Sequence, residues 1–236
     1  MADQGRKRAV EEATDRIRED ILTGRHPAGS RLPGERELST QLGVSRLTLR
    51  SAIARLEGEG LVRAVHGSGN LVLSYREHGG IELLGYLAEL ALQGRALDLS
   101  MLGELLELRR AIAVEALGLA AERGTDEELA ALRAHVARQR EVLDRPRELM
   151  EMDLTFARLV VRATHNIAFE LVTNTVSRAL GRSALELAFQ ANAEQTLQVY
   201  ERLIDLMERR EADRVRQVTV RLLTRLDRQL LAAFGG

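Results

Sequence analysis

The chain has 236 residues, 45% hydrophobic and 29% charged, with a net charge of −1. That length suits two ordinary domains, and the charge is too balanced for a protein that coats nucleic acid through bulk basicity. Without cysteine, disulfide frameworks, cysteine zinc sites and thiol nucleophiles are excluded.

No apolar run approaches the ~18 residues of a membrane span. The start MADQGRKRAVEEATDR lacks a signal-peptide core, so a cytoplasmic protein with no membrane partner is expected. Val10, Ala13, Ile17, Ile21 and Leu22 recur at helical spacing and predict an amphipathic first helix. Thr23-Gly24 ends it, and Gly24 to Gly29 reads as a turn-rich connection. A second helix is predicted from Gly34 as N-cap, with Glu37 as the returning half of a capping box and Leu38 and Leu42 facing the core. Gly43 breaks it, and Ser45 is suited to cap a third helix whose buried stripe is Leu49, Ala52, Ile53 and Leu56. Gly60 stops that helix. Leu61-Val62 and Leu71-Val72-Leu73, either side of His66-Gly67-Ser68-Gly69, predict a β-hairpin with a tight tip.

This order of elements predicts a winged helix-turn-helix over residues 1–74. The polar stretch 75–80, ending in paired glycines, is expected to be a linker. From Ile81 to the end at 236 the periodicity is helical throughout. A long helix is predicted from Leu99 to Ala121. A capping box at Thr125 to Glu128 opens the next helix, Pro146 begins another, and His165-Asn166 marks a break. Three further amphipathic segments, near 168–181, 183–210 and 213–234, complete an all-α antiparallel bundle. The expected fold class is therefore mainly α, with one small hairpin. Between Gly29 and Arg76 there are seven basic and four acidic side chains, so the modest basic excess falls on the helix-turn-helix.

The runs P-G-E-R-E-L, G-V-S-R-L-T-L-R, A-R-L-E-G-E-G-L-V and H-G-S-G resemble the DNA-binding half of GntR-family transcription regulators. The helical remainder is similar to the FadR-type effector domain, on Glu107-Leu108-Arg109-Arg110, Asp153 with Phe156, and Asn166 after Ala163-Thr164-His165. A recognition helix presents its first turn to the major groove, which here carries Ser45, Arg46, Leu47, Thr48 and Arg50. Arg46 and Arg50 have the fork that reads guanine O6/N7. Leu47 departs from the small polar residue often found in the family; it would touch a thymine methyl or shift operator preference. Arg36 would read a base or clamp a phosphate, and His66, Gly67 and Gly69 would form a wing tip able to enter the minor groove. The expected partner is double-stranded DNA with a palindromic operator, read by a homodimer.

Many FadR-type domains hold a divalent metal with one Asp and three His. The resemblance puts Asp153 at the first of these positions, but Ala157, Tyr200 and about Thr224 at the other three, so neither a metal nor another cofactor is expected. That pattern is closer to the acyl-CoA-responsive members, and Arg109 is the candidate for holding an anionic effector. Asp153 is the expected partner of Arg109 without effector, with Tyr200 and Asn166 as further polar contacts; a permanent Arg109–Asp153 ion pair is the structural alternative. His135 and His165 read as surface or capping residues. The function implied is a ligand-responsive regulator, most simply a repressor released by an acyl-CoA or another organic acid; the alternative is a regulator of the same class that senses a small carboxylate with or without a divalent metal. An enzymatic C-terminal domain finds no support, because G-x-S-x-G and H-E-x-x-H are absent and the five histidines are scattered.

Overall fold

A computed structural model of the chain describes residues 2–92, 99–179 and 193–234. They form two compact units, Met1–Leu83 and Leu84–Gly236.

The first unit is built on α1 (Ala2–Leu22) packed against α3 (Arg46–Gly58), with α2 (Glu35–Leu42) also on α3. The apolar stripe of α1 from Val10 to Leu22 is buried, and Leu49, Ala52 and Leu56 of α3 are fully enclosed. Burying a Leu or Ile side chain contributes ~1.5–3 kcal/mol relative to exposure, so this helix pair carries most of the unit's apolar stabilisation. One charged side chain lies in the same interface. Arg18 donates from Nε and Nη2 to both oxygens of Glu59, at 2.8 and 2.6 Å, and from Nη1 to Asp15.

Gly34 is the N-cap of α2, but the expected capping box does not form. Gly34 has no side-chain acceptor, and the Glu37 carboxylate takes a hydrogen bond from the Gln41 amide instead. Gly43 ends α2 in the left-handed region at φ 66°. The Ser45 hydroxyl accepts the Thr48 amide at 3.1 Å and starts α3. At its other end the Gly60 amide donates to Glu57 and the Leu61 amide to Leu56, a Schellman closure with Gly60 at φ 72°.

The wing consists of β1 (Val62–Val65) and β2 (Gly69–Val72), antiparallel with Val62 opposite Val72. Ser30–Leu32, between the predicted connection and α2, runs as a third lane beside β2. The Leu32 amide donates to Asn70 and the Val72 amide to Ser30, at 3.0 and 2.9 Å. The stretch expected as an open linker contains a helical turn, α4 (Tyr75–His78).

In the second unit, α5 (Leu83–Leu92), α6 (Leu99–Arg123), α7 (Asp126–Arg140), α8 (Pro146–Ala163), α9 (Ile167–Ala179), α10 (Ala193–Glu208) and α11 (Ala212–Phe234) follow in order. α11 lies along α6, α8 touches α6 and α7, and α10 touches α7 and α11. Their shared core includes Ala120, Leu132, Leu197, Leu203, Ile204 and Met207. Thr125 and Glu128 form the expected reciprocal capping box, and Pro146 occupies the first turn of α8. His165, at φ 53°, makes the break between α8 and α9. The junction predicted between the segments near 168–181 and 183–210 lies outside the described residues. His135, expected on the surface, is buried, with Nε2 2.7 Å from the Met152 carbonyl. Its charged neighbours in sequence disguised a position that faces α8.

Candidate DNA-reading surface and effector cavity

In the first unit, the first turn of α3 and the wing tip are both exposed. Arg46 and Leu47 face solvent, Leu47 at 59% exposure. A large apolar side chain so exposed on a recognition helix has one apolar target in the major groove, the thymine methyl. Thr48 does not share this face. It is buried, and its hydroxyl lies 2.8 Å from the Ser45 hydroxyl, which also accepts its amide. Ser45 and Thr48 thus cap the helix in the described state. Arg50 is exposed, but its Nε donates to Glu35 at 2.9 Å, tying α3 to the first turn of α2. Arg36 is exposed on that same turn.

His66 and Gly67 lie at the exposed wing tip, and Gly67 and Gly69 adopt φ 69° and 82°. The absence of Cβ at those angles keeps the turn narrow. Arg31, which no local motif singled out, also reaches the wing tip. Its Nη1 donates to the Ser68 carbonyl at the tip. The pairing of Ser30–Leu32 with β2 is what carries it there, and that pairing has no local signature.

The second unit contains a partly open cavity of about 160 Å³. Its polar lining is Arg109 from α6, Asp153 from α8, Thr173 from α9, Tyr200 from α10 and Thr219 from α11; the rest is apolar, including Ile112, Leu154 and Val160. Three of the four expected effector residues therefore meet. Asn166 is not among the lining residues. Its side-chain oxygen accepts the Ala168 amide at 3.0 Å and starts α9.

The pairing within the cavity differs from expectation. The Tyr200 hydroxyl donates to Asp153 Oδ1 at 2.7 Å, and the Tyr200 ring stacks on Phe156 with centroids 4.3 Å apart. Arg109 donates from Nη2 to Asp227 Oδ1 at 2.9 Å, while Arg110 donates from Nη1 to Asp227 Oδ2 at 2.5 Å. Asp227 is buried on α11 and is not part of the cavity lining. No sequence motif marked it, because its partners lie on another helix. Burial pushes the Asp153 carboxyl up to about 6, opposed by the Tyr200 hydrogen bond and the charge of Arg109. Burial, with the Asp153 charge, also raises Tyr200 well above the usual phenol, so it remains a donor. Two buried polar atoms of the lining, Arg109 Nε and Thr173 Oγ1, have no hydrogen-bond partner.

These side chains do not fit a divalent metal, which needs several donors converging on one point. Asp153 is the single carboxylate of the lining and is bonded to Tyr200; Ala157 brings no donor, and Thr224 does not line the cavity. Among the described residues, no group of three His, Asp or Glu side chains converges. The arrangement suits a small ligand with an apolar body and one acidic group.

The chain thus carries a winged helix-turn-helix in its first unit and a ligand-sized cavity in its helical second unit, the two parts expected of a ligand-responsive transcription regulator. The description of bacterial regulatory proteins of the gntR family matches residues 9–72, and that of the FCD domain matches residues 104–225. An HTH-type transcriptional regulator of Mycobacterium tuberculosis is 36% identical over 176 residues, 75% of this chain and 70% of that one. The HTH-type transcriptional regulator Mce2R of the same species is 34% identical over 174 residues, 74% of this chain and 71% of its own. A fatty acid metabolism regulator protein of Klebsiella pneumoniae is 33% identical over 162 residues, 69% of this chain and 65% of its own. Among solved structures, the Lar protein of Listeria monocytogenes superposes with a TM-score of 0.61 at 17% identity, over 94% of this chain and 95% of that one, a likeness of fold. The chain belongs to the GntR family of transcription regulators, of the FadR type with an FCD effector-binding domain; it is not an enzyme.

Proposed function

We propose that the protein is a cytoplasmic, homodimeric repressor that leaves its operator when an organic acid with an apolar chain enters the second unit. The observation that carries this reading is the cavity itself, a largely apolar, partly open pocket with the partly satisfied Arg109 guanidinium in its wall. The acid would sit on Arg109, near the unpartnered Thr173 hydroxyl, with its chain along Ile112, Leu154 and Val160. A buried Arg–carboxylate contact is a strong charge-assisted interaction. The volume of about 160 Å³ resembles that of an engineered cavity that accepts benzene, which favours a chain of modest length. A second reading, an acyl-CoA with only its acyl part enclosed, is supported by the relatives named as fatty acid metabolism regulators.

On DNA, Arg46, Leu47 and Arg50 would read base edges and His66 would approach the minor groove. Arg36 and Arg31 would hold the backbone at either side. Dimerisation would supply the second recognition helix for the second half-site of a palindromic operator.

The test uses an operator duplex selected from a random pool and measures its release by fluorescence anisotropy. Octanoate, or octanoyl-CoA on the second reading, should reduce operator affinity at least tenfold, and Arg109→Ala should remove the response without removing operator binding. Failure of every C4–C12 acid and thioester to change affinity, with no heat of binding by calorimetry, would overturn the effector reading.

A further inference from the structure

Arginine grips a carboxylate best along one edge of its guanidinium, with Nε and Nη2 each donating to a different oxygen. The described residues contain three completed examples. Arg18 holds Glu59 this way, Arg133 holds Glu208, and Arg216 holds Glu115. In Arg109 no such pair forms: Nη2 is on Asp227 Oδ1, while the buried Nε has no acceptor. The second Asp227 oxygen is drawn away to Arg110. Asp227 is therefore shared between two cations and completes the fork of neither.

We propose that Asp227 is a built-in competitor for the effector's acid group, and that Arg110 sets its strength by drawing Asp227 toward itself. This rests on the effector reading above. An incoming carboxylate competes with Asp227 for the Arg109 charge and for the Nη2 hydrogen that Asp227 holds, and it gains both fully when Asp227 lets go. The displaced carboxylate is not stranded, because Arg110 retains it. The swap also removes one of the two ion-pair ties that hold this part of α11 to α6. The other carboxylate near Arg109, Asp153, is engaged by Tyr200 and is poorly placed to take the same role.

The proposal predicts opposite effects from two neighbouring substitutions, which a merely structural role would not produce. Octanoate is titrated calorimetrically into the full chain. Asp227→Asn removes the competing charge at constant size and should tighten binding about tenfold, within the usual range of coupling between sites. Arg110→Gln leaves Asp227 wholly to Arg109 and should weaken binding several-fold; because Arg110 is the more exposed partner, this variant tests the proposal even if Asp227→Asn folds poorly. Binding by Asp227→Asn where the wild type shows none would also support a competitor. Wild-type binding with both variants unchanged, or shifted the same way, would overturn the competitor and leave the effector site standing. No octanoate binding by any of the three would overturn both.

Discussion

Asp153 shows how a single residue can be placed correctly by sequence and still be given the wrong partner. Its selection as a site residue followed from the family resemblance, and it lines the cavity from α8. Which side chain would meet it depended on how α6, α10 and α11 are stacked, and that stacking gave it Tyr200 while sending Arg109 to Asp227. The consequence is measurable. An isolated Asp titrates near 3.8, and Asp153 in the fold near 6. The folded chain thus holds this proton more tightly than the unfolded chain does. Its contribution to stability is most favourable below pH 4 and is lost as pH rises through 6, at an order-of-magnitude cost of about 3 kcal/mol by pH 7. Asp153→Asn should match the wild type in urea unfolding near pH 4 and exceed it at pH 7.5. Tyr200→Phe removes a bond that favours the ionised form, so the residual titration should move to higher pH. An Asp153→Asn variant less stable than the wild type at pH 7.5 would show that the carboxylate is ionised and fully compensated.

Helix boundaries were far more legible than helix partners, because a cap is a local event. Ser45, Thr125 with Glu128, Pro146 and the break at His165 all act through residues within a few positions of themselves. The capping box at Gly34 failed for an equally local reason, since glycine has no acceptor to contribute. The Ser30–Leu32 lane was not legible, because its hydrogen bonds go to β2 some forty residues away. Two glycines separate local from distant constraint. Gly60 is left-handed, and a methyl group on it would run into the His78 carbonyl. Gly34 has an ordinary φ of −56° and open space around it. Gly60→Ala should therefore destabilise the first unit by at least about 2 kcal/mol, from backbone strain plus a backbone clash. Gly34→Ser should instead add a few tenths of a kcal/mol by supplying the missing cap. Chemical denaturation of both variants checks the contrast, and equal effects would contradict it.

At the scale of the whole molecule, the sequence predicted two domains, and the chain divides into two compact units. The first unit contains its own buried helix pair and its own hairpin, so residues 1–83 alone should unfold cooperatively. That fragment should bind a single half-site weakly and ignore octanoate; a molten fragment by near-ultraviolet circular dichroism would refute its independence. What it should lack is discrimination, for a reason already present in α3. Thr48 commits its hydroxyl to Ser45, which leaves Arg46, Leu47 and Arg50 as the few side chains with which to spell out a base sequence. A short word recurs by chance throughout a genome, among ~10⁶–10⁹ competing positions. Requiring a second copy to find the same word at a fixed spacing multiplies two small probabilities. The sparse vocabulary of one recognition helix thus becomes a rare address only when it is read twice.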